Sequence, residues 1–231
     1  MLDKKVFDQA QESNPFAPLH ETVYSFLREA IITMVLEPGS KLNESQIAEE
    51  LSISRSPVKA AIERLQQDAL VERSAGRSAC VAGIYYQDCC ALMEARRGIE
   101  PYAAFYAASR ISDEEIRELK RLLLKLHIDK TNFDPVKYAR ADDAFHNRII
   151  QASRSRYLID AYRQIQSNML RYRLYIVRKL AMDELHEFSA YVPVYHAIQN
   201  RYATVARNET LVMIDRMSEA TRVIEASRPH R

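Results

Sequence analysis

Arg55 and Lys59 stand four residues apart, so on a helix they point two cations the same way. Cations placed like this can grip backbone phosphates or the O6 and N7 atoms of guanine in the major groove. Ser56 between them, with the amides of a helix start, can donate to a phosphate. Ser45 and Gln46, earlier in the chain, can reach phosphate from a neighbouring element. An isolated basic pair is more often a solvated helix end, so the surrounding segment has to decide. A second constellation is Asp142 and His146, again four apart, where a carboxylate and an imidazole can share a metal ion or simply a hydrogen bond. A third is Arg171-Tyr172-Arg173-Leu174-Tyr175-Ile176-Val177-Arg178. Its cations and tyrosines can line a pocket for an anion, or at helical spacing form core.

The elements that must position these residues are legible in the hydrophobic spacing. Leu19, Val23, Phe26, Leu27, Ala30, Ile31 and Met34 form one helical face, which Pro38-Gly39 ends. A short helix from Glu44 to Leu51 turns Ile47, Ala48 and Leu51 inward, and Ser52 to Ser54 make a turn. The next helix opens on Ser54-Arg55-Ser56-Pro57: either serine can cap it, and Pro57 is tolerated in the first turn. Val58, Ala61, Ile62, Leu65 and Ala69 share its inner face, leaving Ser56, Lys59, Ala60 and Glu63 outward. Leu70–Arg73 and Ala79–Val81 then flank Ser74-Ala75-Gly76-Arg77, a hairpin in which Gly76 can take positive φ. Helix, turn, helix and hairpin in that order predict a winged helix-turn-helix over residues 19–83, which places one helix in the major groove of DNA. Residues 1–18, polar and without periodicity, read as a flexible arm.

From residue 84 to 231 the pattern is purely helical. It predicts helices over roughly Tyr86–Arg110, Asp113–Ile128, Pro135–Ala152, Tyr157–Lys179, Asp183–Val205 and Glu209–Ala226. Short turns between them imply an antiparallel all-α bundle, so the fold class is mostly α with a small wing. The composition agrees: 4 glycines and 8 prolines in 231 residues disfavour a sandwich or barrel. No apolar run approaches the roughly 18 residues that span a bilayer. The first residues carry no apolar signal core, so cytoplasm is the expected compartment and no membrane partner is expected. Three cysteines with no zinc spacing read as reduced. Charge is less helpful: residues 1–82 hold 9 Lys/Arg against 12 Asp/Glu, and the rest 24 against 19. An acidic reading head owes its affinity to where its cations sit rather than to their number.

The segment Pro38-Gly39…Leu42…Glu44…Ile47-Ala48…Leu51…Ser54-Arg55-Ser56-Pro57-Val58-Lys59…Ala61-Ile62…Arg64-Leu65 resembles the GntR family of bacterial transcription regulators. Arg96-Arg97-Gly98-Ile99-Glu100-Pro101 and Asp142-Asp143-Ala144-Phe145-His146 resemble the FadR subfamily's helical ligand-binding domain, called FCD. The resemblance implies a homodimer on a palindromic double-stranded DNA operator, most simply a repressor, controlled by a small metabolite. Gly76 and Arg77 resemble the wing tip that enters the minor groove, where arginine is favoured, the alternative being a wing that touches only phosphate. The resemblance also implies that Arg96 points into the ligand cavity to grip a carboxylate bidentately, the alternative being a surface pair with Glu100.

Many such domains complete a metal site with two further histidines from the last two long helices. His196 falls about one residue from the first of those positions, and the final helix has no histidine. Arg216, Met217, Ser218 or Glu219 stands near the second position instead. Asp142, His146 and His196 with water or effector can still hold a divalent ion such as Zn, Ni or Mn. Arg216 facing the cavity would instead repel a metal and, with Arg96 and Arg173, bind an organic acid directly. Two competing readings remain, a metal-dependent helical enzyme and an acyl-CoA-sensing regulator without metal. No nucleophile–base pair or phosphate-binding glycine loop supports the enzyme.

Overall fold

The computed structural model describes residues 2–73, 78–127, 132–180 and 191–226. The chain divides into two compact units, Met1–Ile84 and Tyr85–Arg231.

The first unit opens with a helix, α1 (Lys4–Ser13), where a flexible arm was expected. Asp3 caps it by accepting from the Lys5 amide, and Phe7 is 1% exposed, edge-on to Phe26 with ring centroids 5.4 Å apart. Leu2 is buried with it in the core. A polar helix whose apolar contacts are only two residues shows no sequence periodicity, which is why spacing alone reads this segment as arm. Next come α2 (Leu19–Ile32), β1 (Lys41–Leu42), α3 (Glu44–Leu51), α4 (Arg55–Gln67), β2 (Val71–Glu72) and β3 (Ala79–Val81).

The two expected wing strands gain a third: β1 pairs antiparallel with β3, giving the order β1-β3-β2. Gly39, at φ +81°, makes the turn into β1 and donates its amide to the Val81 carbonyl at 2.8 Å. Between α3 and α4, Ser52 takes a left-handed conformation (φ 58°) and ends α3. Val58, Ala61, Ile62 and Leu65 of α4 pack on Val23, Leu27 and Ile31 of α2 in one core. Ala69, expected on that face, lies past the helix end and is exposed at φ 54°. Tyr24 fixes α2 to the end of α4: its hydroxyl donates to Asp68 at 2.5 Å, and the Arg64 guanidinium lies 3.9 Å over its ring.

The second unit is helical throughout its described residues: α5 (Tyr86–Arg110), α6 (Asp113–Lys125), α7 (Pro135–Ala152), α8 (Arg156–Lys179), α9 (Tyr191–Gln199) and α10 (Ala203–Ala226). Ser112 and Glu115 form a reciprocal capping box at the start of α6. Asp134 caps α7, with Pro135 in its first turn. The core gathers Ala104, Ala107 and Ala108 of α5, Phe145 and Ile149 of α7, Val194 and Ile198 of α9, and Ala206 and Met213 of α10. One boundary differs from the sequence pattern. A helix was expected to run to Val205, but α9 stops at Gln199, and Arg201 turns the chain at φ 60°. The Tyr202 amide closes that turn on the Ala197 carbonyl at 2.8 Å, so α10 begins at Ala203 rather than Glu209. Residues 181–190 of the expected helix lie outside the described residues. The three cysteines are unpaired.

Candidate functional site

In the first unit α4 is a rigid rod whose apolar face is committed to the core, so its N-terminal polar face is what remains to meet a partner. Arg55 and Lys59 side chains are 68% and 60% exposed there, and Ser56 is exposed beside them. Ser54 occupies the cap position without a side-chain hydrogen bond, which leaves the first-turn amides available to a phosphate oxygen. Ser45 and Gln46 are exposed on α3, but Asn43 Oδ1 already accepts from both their amides at 3.0 and 3.2 Å. Only their side chains are left to offer, and Gln46 Nε2 donates to Glu50 at 2.9 Å.

A residue that the sequence pattern did not mark as functional organises this face. Glu44, at the start of α3, lies 2.7 Å from Arg73 at the foot of the wing and 3.9 Å from Arg55. One carboxylate therefore ties the α4 tip to the wing and spaces two cations about itself. Gly76 and Arg77 lie outside the described residues.

The second unit encloses an ion cluster. Arg96 on α5, 2% exposed, donates from Nε to Glu100 Oε1 at 2.6 Å and from Nη2 to Oε2 at 3.1 Å, a bidentate pair within one helix turn. His146 on α7 sits between two carboxylates: Nδ1 is 2.8 Å from Glu100 Oε2, and Nε2 is 3.0 Å from Asp142 Oδ1. Arg173 on α8 closes the chain, with Nε 2.6 Å from Asp142 Oδ2 and Nη1 2.9 Å from Asp143 Oδ1. Gln166 donates to the other Asp143 oxygen at 3.0 Å. Burial pushes the Asp142 carboxyl up, but the Arg173 guanidinium and the His146 ring outweigh it and hold the group at about 2. Glu100 behaves alike: burial opposes its ionisation, while Arg96 and His146 hold it far below the usual carboxylate range.

Three helices thus meet at alternating charges that a sequence pattern can only scatter. Arg96, Asp142, His146 and Arg173 are brought together. Arg96 faces inward rather than forming the surface pair, and Glu100, its partner, is buried with it. Glu100, Asp143 and Gln166 were not marked as site residues. Glu100 carried a signal in its four-residue spacing from Arg96, whereas Gln166 carried none. His196 and Arg216 are not brought in: both are exposed, on α9 and α10.

The donor set expected for a divalent ion does not assemble. His146 turns its two nitrogens to carboxylates on opposite edges of the ring, so Glu100 and Asp142 cannot converge with it on one point. Asp142 spends its other oxygen on Arg173. Among the described residues no group of three or more His, Cys, Asp and Glu side chains is placed to hold a metal. These residues therefore do not fit the metal, and a buried guanidinium stands as the countercharge to Asp142.

Residues 19–81 match the family described as bacterial regulatory proteins, gntR family, and residues 91–216, over half the chain, match the FCD domain. The protein belongs to the GntR family of transcription regulators and carries an FCD domain. Among curated relatives, this GntR-family chain is 23% identical to the HTH-type transcriptional repressor RspR of Escherichia coli K12, across 91% of its own length and 92% of the relative's. It is 25% identical to the gluconate operon transcriptional repressor of Bacillus subtilis, across 71% and 67%. Its fold is that of E. coli McbR/YncC (TM-score 0.75, 20% identity, 91% and 99% covered) and of a GntR regulator from Rhodococcus (TM-score 0.71, 20% identity, 91% and 99% covered). As a GntR-family regulator it is not an enzyme, so the metal-dependent enzyme falls away. None of its described helices is long and apolar enough to cross a membrane.

Proposed function

We propose that this regulator is a cytoplasmic repressor that binds a palindromic operator as a homodimer and is released by a small organic acid bound in its helical unit without a metal. The repressor names of two relatives support the direction of control. The exposed Arg55–Ser56–Lys59 tip of α4 supports the operator contact.

The observation that carries the effector is the buried cluster itself. Enclosing ionic groups in a core costs desolvation that apolar side chains of the same volume would avoid, so stability alone gives no reason for it. A cluster of carboxylates clasped by Arg96 and Arg173 is a receptor already holding its own counterions. An incoming carboxylate competes for a guanidinium with Glu100 or with Asp142 and Asp143. Each exchange changes what ties α5, α7 and α8 together, which is the kind of two-arrangement element that can be coupled to a reading head.

The test is fluorescence anisotropy with the regulator's own upstream DNA, titrated with a panel of organic acids. At least one acid is expected to weaken operator binding, and operator DNA is expected to weaken that acid's binding by the same factor. If no acid changes operator affinity while operator binding itself is specific, the effector proposal fails.

A further inference from the structure

Between the end of α6 and the first turns of α7, the helical unit holds a cavity of about 530 Å³ that shares no residue with the ion cluster. Leu122, Phe133 and Tyr138 form its apolar wall, with the Phe133 and Tyr138 rings 5.6 Å apart and inclined at 51°. Its polar wall is cationic, formed by the exposed residues Lys125, Lys137 and Arg140. One carboxylate lines it among the described residues, Asp134, and that group is largely spent on the helix. Its Oδ1 accepts from the Val136 and Lys137 amides at 2.9 and 3.1 Å, while Oδ2 faces Lys137 Nζ at 3.4 Å. Three cations stand against this one carboxylate, so the described wall is net positive even with Lys137 paired to Asp134.

We infer that this cavity binds an amphipathic organic anion, a carboxylate or sulfonate on an aryl or branched alkyl body. The acid group lies against the cationic wall, and the body lies on the Phe133–Tyr138 wall. The volume falls in the range of small-molecule sites, in which an apolar lining supplies affinity and a few charges fix orientation. A small inorganic anion would leave the aromatic wall wet, and a neutral apolar molecule would gain nothing from the positive field of the other wall. Neither uses both walls. The site is distinct from the ion cluster yet close to it: Tyr138 shares a side-chain hydrogen bond with Tyr191, whose ring lies 6.2 Å from that of His146.

The probe is 8-anilinonaphthalene-1-sulfonate, titrated by fluorescence onto the full-length native protein. Saturable binding at one site per chain is expected, displaced by phenylacetate and not by phenylethylammonium. The double charge reversal Lys125→Glu/Lys137→Glu is expected to weaken the dye about tenfold or more. Ala144→Phe, which fills the cavity from α7, is expected to remove this site. Both variants are expected to keep wild-type melting temperature and operator affinity, so the outcome is independent of how the effector reading fares. The charge reversal lies on the surface and keeps the test sound if Ala144→Phe fails to fold. Non-saturable binding, equal affinity in the charge-reversal variant, or equal displacement by the cationic analogue would overturn the inference.

Discussion

Replacing Arg173 with methionine keeps most of the side-chain volume and removes only the charge. In the folded protein this strands Asp142, which is enclosed, and Asp143, which is partly so, while His146 and Arg96 remain. Two unit charges about 4 Å apart at an effective dielectric of about 20 interact by about 4 kcal/mol. That agrees with the roughly 3–5 kcal/mol lost when one partner of a buried pair is removed. For a unit of this size 1 kcal/mol moves the melting temperature by about 2–4 °C, so a fall of about 10 °C is expected by calorimetry at pH 7. The exposed pair Arg163–Asp160 is the internal control, and Arg163→Met is expected to cost under about 1 kcal/mol.

A second signature separates a stranded charge from simple loss of packing. Burial is the largest influence on Asp142, so without Arg173 its carboxyl is expected to rise above its ordinary value. The folded state then binds a proton that the unfolded state releases, and the deficit shrinks as pH falls toward about 4. Adding Asp142→Asn to Arg173→Met is likewise expected to recover most of the loss. A loss no larger than that of the surface control, or one that neither low pH nor the added Asp142→Asn change relieves, would refute the reasoning.

The wild-type protein has the opposite pH behaviour. Asp142 is held at about 2 against an ordinary 3.8, so its contribution is complete above pH 4 and lost as pH falls toward 2. Urea titrations over that window are expected to show about 2 kcal/mol lost from this group, with Glu100 adding in the same direction. Phe7→Ala removes a fully enclosed ring and is expected to cost roughly 3–5 kcal/mol, read as earlier melting of the first unit. Truncating residues 1–16 should cost at least as much, whereas an arm would cost nothing. Because the donor set does not converge, protein purified without a histidine tag is expected to contain metal far below one equivalent. Neither EDTA nor added Zn, Ni or Mn should then shift its melting temperature, and a stoichiometric, stabilising ion would contradict this.

Sequence is a good guide wherever one residue type at a fixed spacing has one physical use. Val58, Ala61, Ile62 and Leu65 had to face inward, Asp134-Pro135 had to open a helix, and Arg55 and Lys59 were left outside. It fails where a residue's meaning depends on a partner distant in the chain. Glu44 is an unremarkable helix start until Arg73, twenty-nine residues on, folds back to it. Glu100 reads as a surface partner of Arg96 until α7 brings His146 against it. The helix α1 is invisible to spacing because its burial is carried by Leu2 and Phe7 alone. The α9–α10 break is hidden because Arg201, which turns the chain, is not a residue type that marks turns. His196 lies on the outer face of its helix because its neighbours Tyr195 and Ala197 take the inner one, a distinction of one residue that spacing does not resolve.

The claim on which the rest depends is that the tip of α4 reads DNA. The direct measurement is anisotropy of the protein with its own upstream DNA and with scrambled DNA of equal length, across a salt series, for wild type and Arg55→Ala. Specific binding that falls steeply with salt is expected. Loss of this one arginine should then cost about 1–3 kcal/mol, roughly a tenfold to hundredfold weakening. Equal affinity for the two DNAs, or an Arg55→Ala protein that binds like wild type, would contradict it.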